Sequence, residues 1–142
     1  MTRSILLFIL GVSLNNLVNA QSFTVVNHTD CFLSYAITGT VGKPCSSTYS
    51  KTKSSAFEIA PGQTAVWTSP QKVWGEANMP IYWSSFMASS PKSEKKYVGY
   101  CVGISPRSTT ANVRIPECVK SIYYSWQQDS TKNVYISIEY GY

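Results

Sequence analysis

From Val134 to Tyr140 apolar and polar side chains alternate without a break, with Val134, Ile136, Ile138 and Tyr140 on one side and Tyr135, Ser137 and Glu139 on the other. A period of two belongs to a β-strand with one buried and one wetter face. No stretch after position 20 sustains an apolar period near 3.6 for three turns, and good helix formers are scarce there. Runs rich in β-branched and aromatic residues recur instead: Ser22–Asn27, Cys31–Thr38, Ala56–Ile59, Thr64–Thr68, Lys72–Glu76, Ile81–Met87, Lys96–Ile104, Ala111–Ile115 and Ser121–Trp126. Pro61-Gly62 lies between two of them and predicts a hairpin or a sharp corner, proline presetting the first turn position and glycine supplying the second. Roughly eight to ten short strands with frequent turns predict an all-β fold, an antiparallel β-sandwich, with a small β-barrel as the runner-up.

The first twenty residues follow another grammar. Arg3 precedes the apolar run Ile5–Val12, and the small-residue site Val18-Asn19-Ala20 closes the segment. That is the order of a secretory signal, and the run is shorter than the ~20 residues a membrane-spanning helix needs. Residues 1–20 are therefore expected to be removed, leaving Gln21 at the N-terminus and 21–142 as a single β-sandwich domain. The expected location is extracellular, or periplasmic in a bacterium. Loss of Arg3 takes the net charge from +5 to +4, a mild basicity whose densest cluster, Lys92, Lys95 and Lys96, is interrupted by Glu94. Such a cluster suits a solvated loop better than a polyanion site, and no nucleic-acid partner is expected.

All four cysteines, Cys31, Cys45, Cys101 and Cys118, follow the leader, and an even count in an exported chain is expected to form disulfides. Local pairing, Cys31 with Cys45 and Cys101 with Cys118, closes two loops that contain turn residues and is preferred over a long-range pairing of early with late cysteines. A metal site is not expected, since there is no C-x-x-C pair and His28 is the only histidine. Asn27-His28-Thr29 matches the N-glycosylation acceptor on a predicted turn, and in a eukaryotic secretory pathway Asn27 is expected to carry a glycan.

Catalytic residues are hard to assemble. One histidine, no G-x-S-x-G elbow and no phosphate-binding glycine motif leave carboxylate chemistry, with Glu58 and Glu76 meeting across a sheet as a glycosidase-like pair. Nothing in their spacing requires that meeting, so no catalytic residue and no cofactor is assigned, and a small hydrolase ranks third among the functional readings. The informative excess is aromatic: ten Tyr, five Phe and four Trp. Most must fill a core of this size. Tyr123, Tyr124 and Trp126 are the candidate ligand-binding residues, because neighbours on a strand face opposite ways and one of Tyr123 and Tyr124 is expected to be wet. The polar stretch Gly39–Ser55 is the candidate binding loop. The leading expectation is thus a secreted non-catalytic protein that contacts a glycan or protein surface. A membrane-active defence effector is the alternative, although no amphipathic helix or long alternating hairpin supports insertion.

Phe23-Thr24-Val25-Val26-Asn27 with Cys31 close behind, followed by Ala60-Pro61-Gly62-Gln63-Thr64, resembles the start of thaumatin-like proteins. The resemblance implies a secreted β-sandwich with many disulfides. Four cysteines are too few for that family and its acidic cleft residues have no counterpart here, so no site residue is carried over.

Overall fold

The computed structural model describes residues 21–42, 52–75, 78–90, 92–99 and 109–141. Among these residues nine strands and one short helix follow one another: β1 (Phe23–Asn27), β2 (Leu33–Val41), β3 (Thr52–Ile59), β4 (Thr64–Trp67), α1 (Pro70–Trp74), β5 (Ile81–Ser89), β6 (Val98–Gly99), β7 (Thr110–Val113), β8 (Ile122–Gln128) and β9 (Val134–Tyr140). They form a five-stranded sheet in the order β4-β1-β9-β8-β7 and a four-stranded sheet in the order β3-β2-β5-β6. Two separate sheets make this the sandwich rather than the barrel. All pairings are antiparallel except that of β1 with β9.

The inner faces follow the alternation of the sequence. Phe23 and Val25 lie beside Val134 and Ile136, and Tyr124 and Trp126 lie opposite Ile138 and Ile136, all in the interior. The four-stranded sheet contributes Leu33, Tyr35, Ile37, Trp83, Phe86 and Ala88 to the same core. Aromatic rings bridge the layers: Phe23 lies 4.9 Å from Trp83 and 6.4 Å from Phe86, Tyr35 lies 6.0 Å from Trp67, and Tyr124 meets Phe86 edge-on at 5.5 Å. Each such contact contributes ~0.5–1.5 kcal/mol beyond the area it buries, so this cluster locks one sheet to the other.

Several sequence expectations are corrected. Lys72–Glu76 reads as a strand in the sequence, but Pro70–Trp74 is a helical turn with proline in its first turn and Gly75 as its C-cap. Proline near a helix start and glycine after its end outweigh the β-propensity of two residues. The Gly39–Ser55 stretch is not a loop throughout. Gly39 pairs with Lys53, Thr40 with Thr52 and Ile37 with Ser55, so both ends are strand and 43–51 lie outside the described residues. The Pro61-Gly62 turn, closed by Gln63 N–H donating to the Ala60 carbonyl at 3.2 Å, is the sharp corner, because β3 and β4 belong to different sheets.

The preferred disulfide pairing is also corrected. Cys31 is bonded to Cys118 across 87 positions, with Cα atoms 5.6 Å apart. Spacing alone favours local loops, but β1 and β8 both flank β9, so the connection leaving β1 and the one entering β8 arrive at the same end of the sandwich. Cys45 and Cys101 lie outside the described residues. Among those residues, no helix is long and apolar enough to cross a membrane.

Candidate binding surface

The outer face of the five-stranded sheet is the wet side of the alternation. On β9 it carries Tyr135 and Glu139 with the buried Ser137 between them, on β8 Tyr123, Ser125 and Gln127, and on β1 Thr24 and Val26. Cross-strand register places Tyr135 between Thr24 and Gln127, and Tyr123 beside Glu139. Tyr135 is 40% exposed, one of the largest apolar surfaces the sheet offers to solvent. It borders an open depression of about 360 Å³ whose other walls include Ser22, Thr24, Gln127, Gln128, Asp129 and Asn133.

One rim of the depression is a tightly bonded turn between β8 and β9. Asp129 Oδ1 accepts from Thr131 N–H at 2.9 Å, Thr131 Oγ1 at 2.7 Å and Asn133 N–H at 2.9 Å, while Oδ2 accepts from Asn133 Nδ2 at 3.0 Å. Those hydrogen bonds, Thr131 first, hold the Asp129 carboxyl below its ordinary range despite full exposure. Asn133 Oδ1 in turn accepts from Ser22 N–H at 2.9 Å and Ser22 Oγ at 3.1 Å, tying the turn to the start of β1. The carboxylate thus serves as the hub of the turn. It shapes the rim, and Gln127, Gln128, Thr24 and the Tyr135 ring supply the surface on which a ligand would rest.

The candidate residues divide. Tyr123 is half-buried on the outer face, as the opposite-facing argument anticipated for one of the pair. Tyr124 is fully buried and Trp126 is 6% exposed, and both point into the core rather than onto the outer face. Their parity is that of the buried Ile122, which fixes the face for the whole strand. Tyr124 instead donates its hydroxyl hydrogen bond to the Lys96 carbonyl. Tyr135 was not among the candidate ligand-binding residues, although its place opposite Val134, Ile136 and Ile138 in the terminal alternation already marked it as wet. Gln127 and Thr24 gave no such signal, since only sheet pairing brings them beside Tyr135.

Asn27, expected as a glycan acceptor, lies in the interior. Its side chain is wholly buried, and Nδ2 spends both hydrogens, on the Cys31 carbonyl at 2.8 Å and the Ala60 carbonyl at 3.1 Å. Its Oδ1 accepts from Thr29 N–H at 3.0 Å and Thr29 Oγ1 at 2.7 Å. Asn27 and Thr29, buried on either side of the exposed His28, thus form a turn that joins β1 to the disulfide and to the Ala60 corner. Of the carboxylates weighed as a catalytic pair, Glu58 is exposed on β3 and Glu76 lies outside the described residues. Among those residues, no three His, Cys, Asp or Glu side chains gather where they would hold a metal ion.

No family model matches the chain, and comparison with curated proteins and with solved structures gave no match either.

Proposed function

We propose that the chain is a secreted, non-catalytic carbohydrate-binding protein whose ligand rests on the outer face of the five-stranded sheet. The observation that carries the reading is Tyr135, an exposed ring flanked in register by Thr24 and Gln127 and bordering a depression lined with amide and hydroxyl groups. A sugar ring presents an apolar C–H face and a rim of hydroxyls. An aromatic platform with short polar side chains beside it matches both, whereas a protein hot spot calls for a larger apolar anchor set in a pocket. The sheet is rigid, so the ring and its neighbours are in position before a ligand arrives. Export is supported by the leader-like first twenty residues and by the Cys31–Cys118 bond, which belongs to an oxidising compartment.

The test is a panel of oligosaccharides and polysaccharides screened against the secreted protein, followed by Tyr135→Ala and Gln127→Ala. Each substitution is expected to weaken binding roughly tenfold or more, equivalent to ~1.4 kcal/mol, with the melting transition unchanged. Binding that both variants retain would move the site elsewhere. Binding only to proteins would replace the carbohydrate reading.

A second reading rests on the opposite end of the sandwich, where the disulfide brings together Phe32 and Val119, 56% and 81% exposed, with Arg114 and Lys120 also exposed nearby. Contact with a membrane surface there predicts salt-sensitive binding to anionic vesicles, lost in Phe32→Ser/Val119→Ser.

A further inference from the structure

The chain is bolted into the fold from Gln21 onward. The indole N–H of Trp83 donates to the Gln21 carbonyl at 2.7 Å. Ser22 N–H and Ser22 Oγ both donate to Asn133 Oδ1, and Val134 N–H donates to the Ser22 carbonyl at 2.8 Å. Trp83 is itself 3% exposed and sits between Phe23 and Trp74, 4.9 and 5.4 Å away, so its indole is a fixed donor and not a mobile surface group. These bonds engage the backbone carbonyl of Gln21. Among the described residues, its α-nitrogen and its side-chain amide make no hydrogen bond. Gln21 is only partly buried. The anchoring therefore begins one peptide unit after the Val18-Asn19-Ala20 cleavage site, at the residue that cleavage would expose.

We infer that Gln21 is a modification site, at which the newly exposed N-terminus closes on itself to a pyroglutamyl residue. The inference rests on the secretion reading above, since a free α-amine at Gln21 exists only after removal of residues 1–20. In the step, the neutral α-amine attacks the side-chain carbonyl carbon Cδ. The bond from the α-nitrogen to Cδ forms and the bond from Cδ to Nε2 breaks. The carboxamide nitrogen leaves as ammonia, carrying away the proton the amine gives up. Nothing is oxidised or reduced, and no co-reactant is consumed. The Gln21 carbonyl takes no part in ring closure, so the Trp83 hydrogen bond survives it.

Two consequences follow from the position. Cyclisation removes a positive charge at a residue that is itself partly buried, where an ammonium would be partly desolvated. The five-membered lactam also locks the side-chain torsions of the first residue in a ring, which lowers the entropy lost when that residue docks against Trp83. The chain end so formed has no α-amine for an aminopeptidase to grip, and it borders Ser22 in the wall of the Tyr135 depression.

The test is the N-terminal peptide of the full-length chain purified after secretion, read by mass spectrometry and by stepwise Edman degradation. The expected result is a peptide that starts at position 21, is one ammonia lighter than its sequence, is blocked to Edman degradation and is unblocked by pyroglutamyl peptidase. Gln21→Ala is expected to be cleaved at the same bond and to read through in Edman cycles from its first residue. A peptide that starts at Gln21 with a free amine, still unblocked after prolonged incubation at neutral pH, overturns the cyclisation and leaves secretion standing. A retained leader overturns both, and cleavage at another bond overturns the cyclisation at Gln21.

Discussion

The ring of Trp74 lies against the α-carbon of Gly39: a Cβ added to Gly39 would sit 2.7 Å from Trp74 Cζ3 and Cη2 and 3.1 Å from Ile81 Cγ2. Trp74 comes from α1 and Gly39 from β2, where the register with β5 shifts between Thr38 and Gly39. The missing side chain makes the berth for the indole. Gly39→Ala is expected to push α1 off the sheet end and to cost ~1–3 kcal/mol, the usual penalty of overpacking, read as a lower urea midpoint with an unchanged slope. A variant as stable as the parent would show that α1 shifts freely.

Asn27 holds the end of β1, the disulfide-bonded Cys31 and the corner between the sheets with one amide. Asn27→Ala leaves two carbonyls and the Thr29 donors without it, and each buried orphan costs roughly 1–3 kcal/mol. A loss of at least ~2 kcal/mol is expected by chemical denaturation. Because the same amide is buried and fully used, treatment of the secreted protein with an N-glycosidase is expected to leave its mass unchanged. A mass shift would mean that Asn27 is modified and the turn opened.

A non-reducing peptide map is expected to recover Cys31 linked to Cys118. Closure of a loop of 87 positions contributes about 4 to 5 kcal/mol in the chain-entropy picture. Cys31→Ala/Cys118→Ala is therefore expected to lower the melting temperature far more than Gly39→Ala. A Cys31–Cys45 linkage would contradict the strand arrangement that brings Cys31 to Cys118.

Burial pushes the Tyr124 phenol well above its ordinary value near 10, with Tyr97 and Glu94 adding to the rise, and burial does the same to Tyr35. A folded-state value above the unfolded one means that the protonated phenol is favoured in the fold. That contribution is complete below about pH 10 and is lost as the pH rises beyond it. Stability should thus be insensitive to these groups at neutral pH and fall in the alkaline range. Tyr124→Phe is expected to flatten the fall, measured by urea denaturation at stepped pH, and the phenolate absorbance of the parent should show tyrosines that titrate only with unfolding. An alkaline slope identical in parent and variant would assign the loss to other groups.

What the sequence determined by itself was carried by local pattern, though not everywhere, since Lys72–Glu76 reads as a strand and Pro70–Trp74 is helical. The alternation of Val134 to Tyr140 specified a strand, its buried face and the wet position of Tyr135, because a pleated backbone sends neighbouring side chains to opposite sides. The β-branched runs specified most of the other strands, and Pro61-Gly62 specified a turn. The phase of a short strand was beyond it. Tyr123 and Tyr124 are chemically alike, and the choice of which one faces the core was made by the pairing of β8 with β9, which set Tyr124 beside buried Ile138 and Tyr123 beside exposed Glu139. Tertiary structure likewise decided that Cys31 meets Cys118 and that Asn27 is a buried brace. It also placed Gln127, Thr24 and Tyr135, from three strands, along one depression. Each of these depends on which strands become neighbours, and that is settled by the burial of one shared core, to which residues far apart in the chain contribute together.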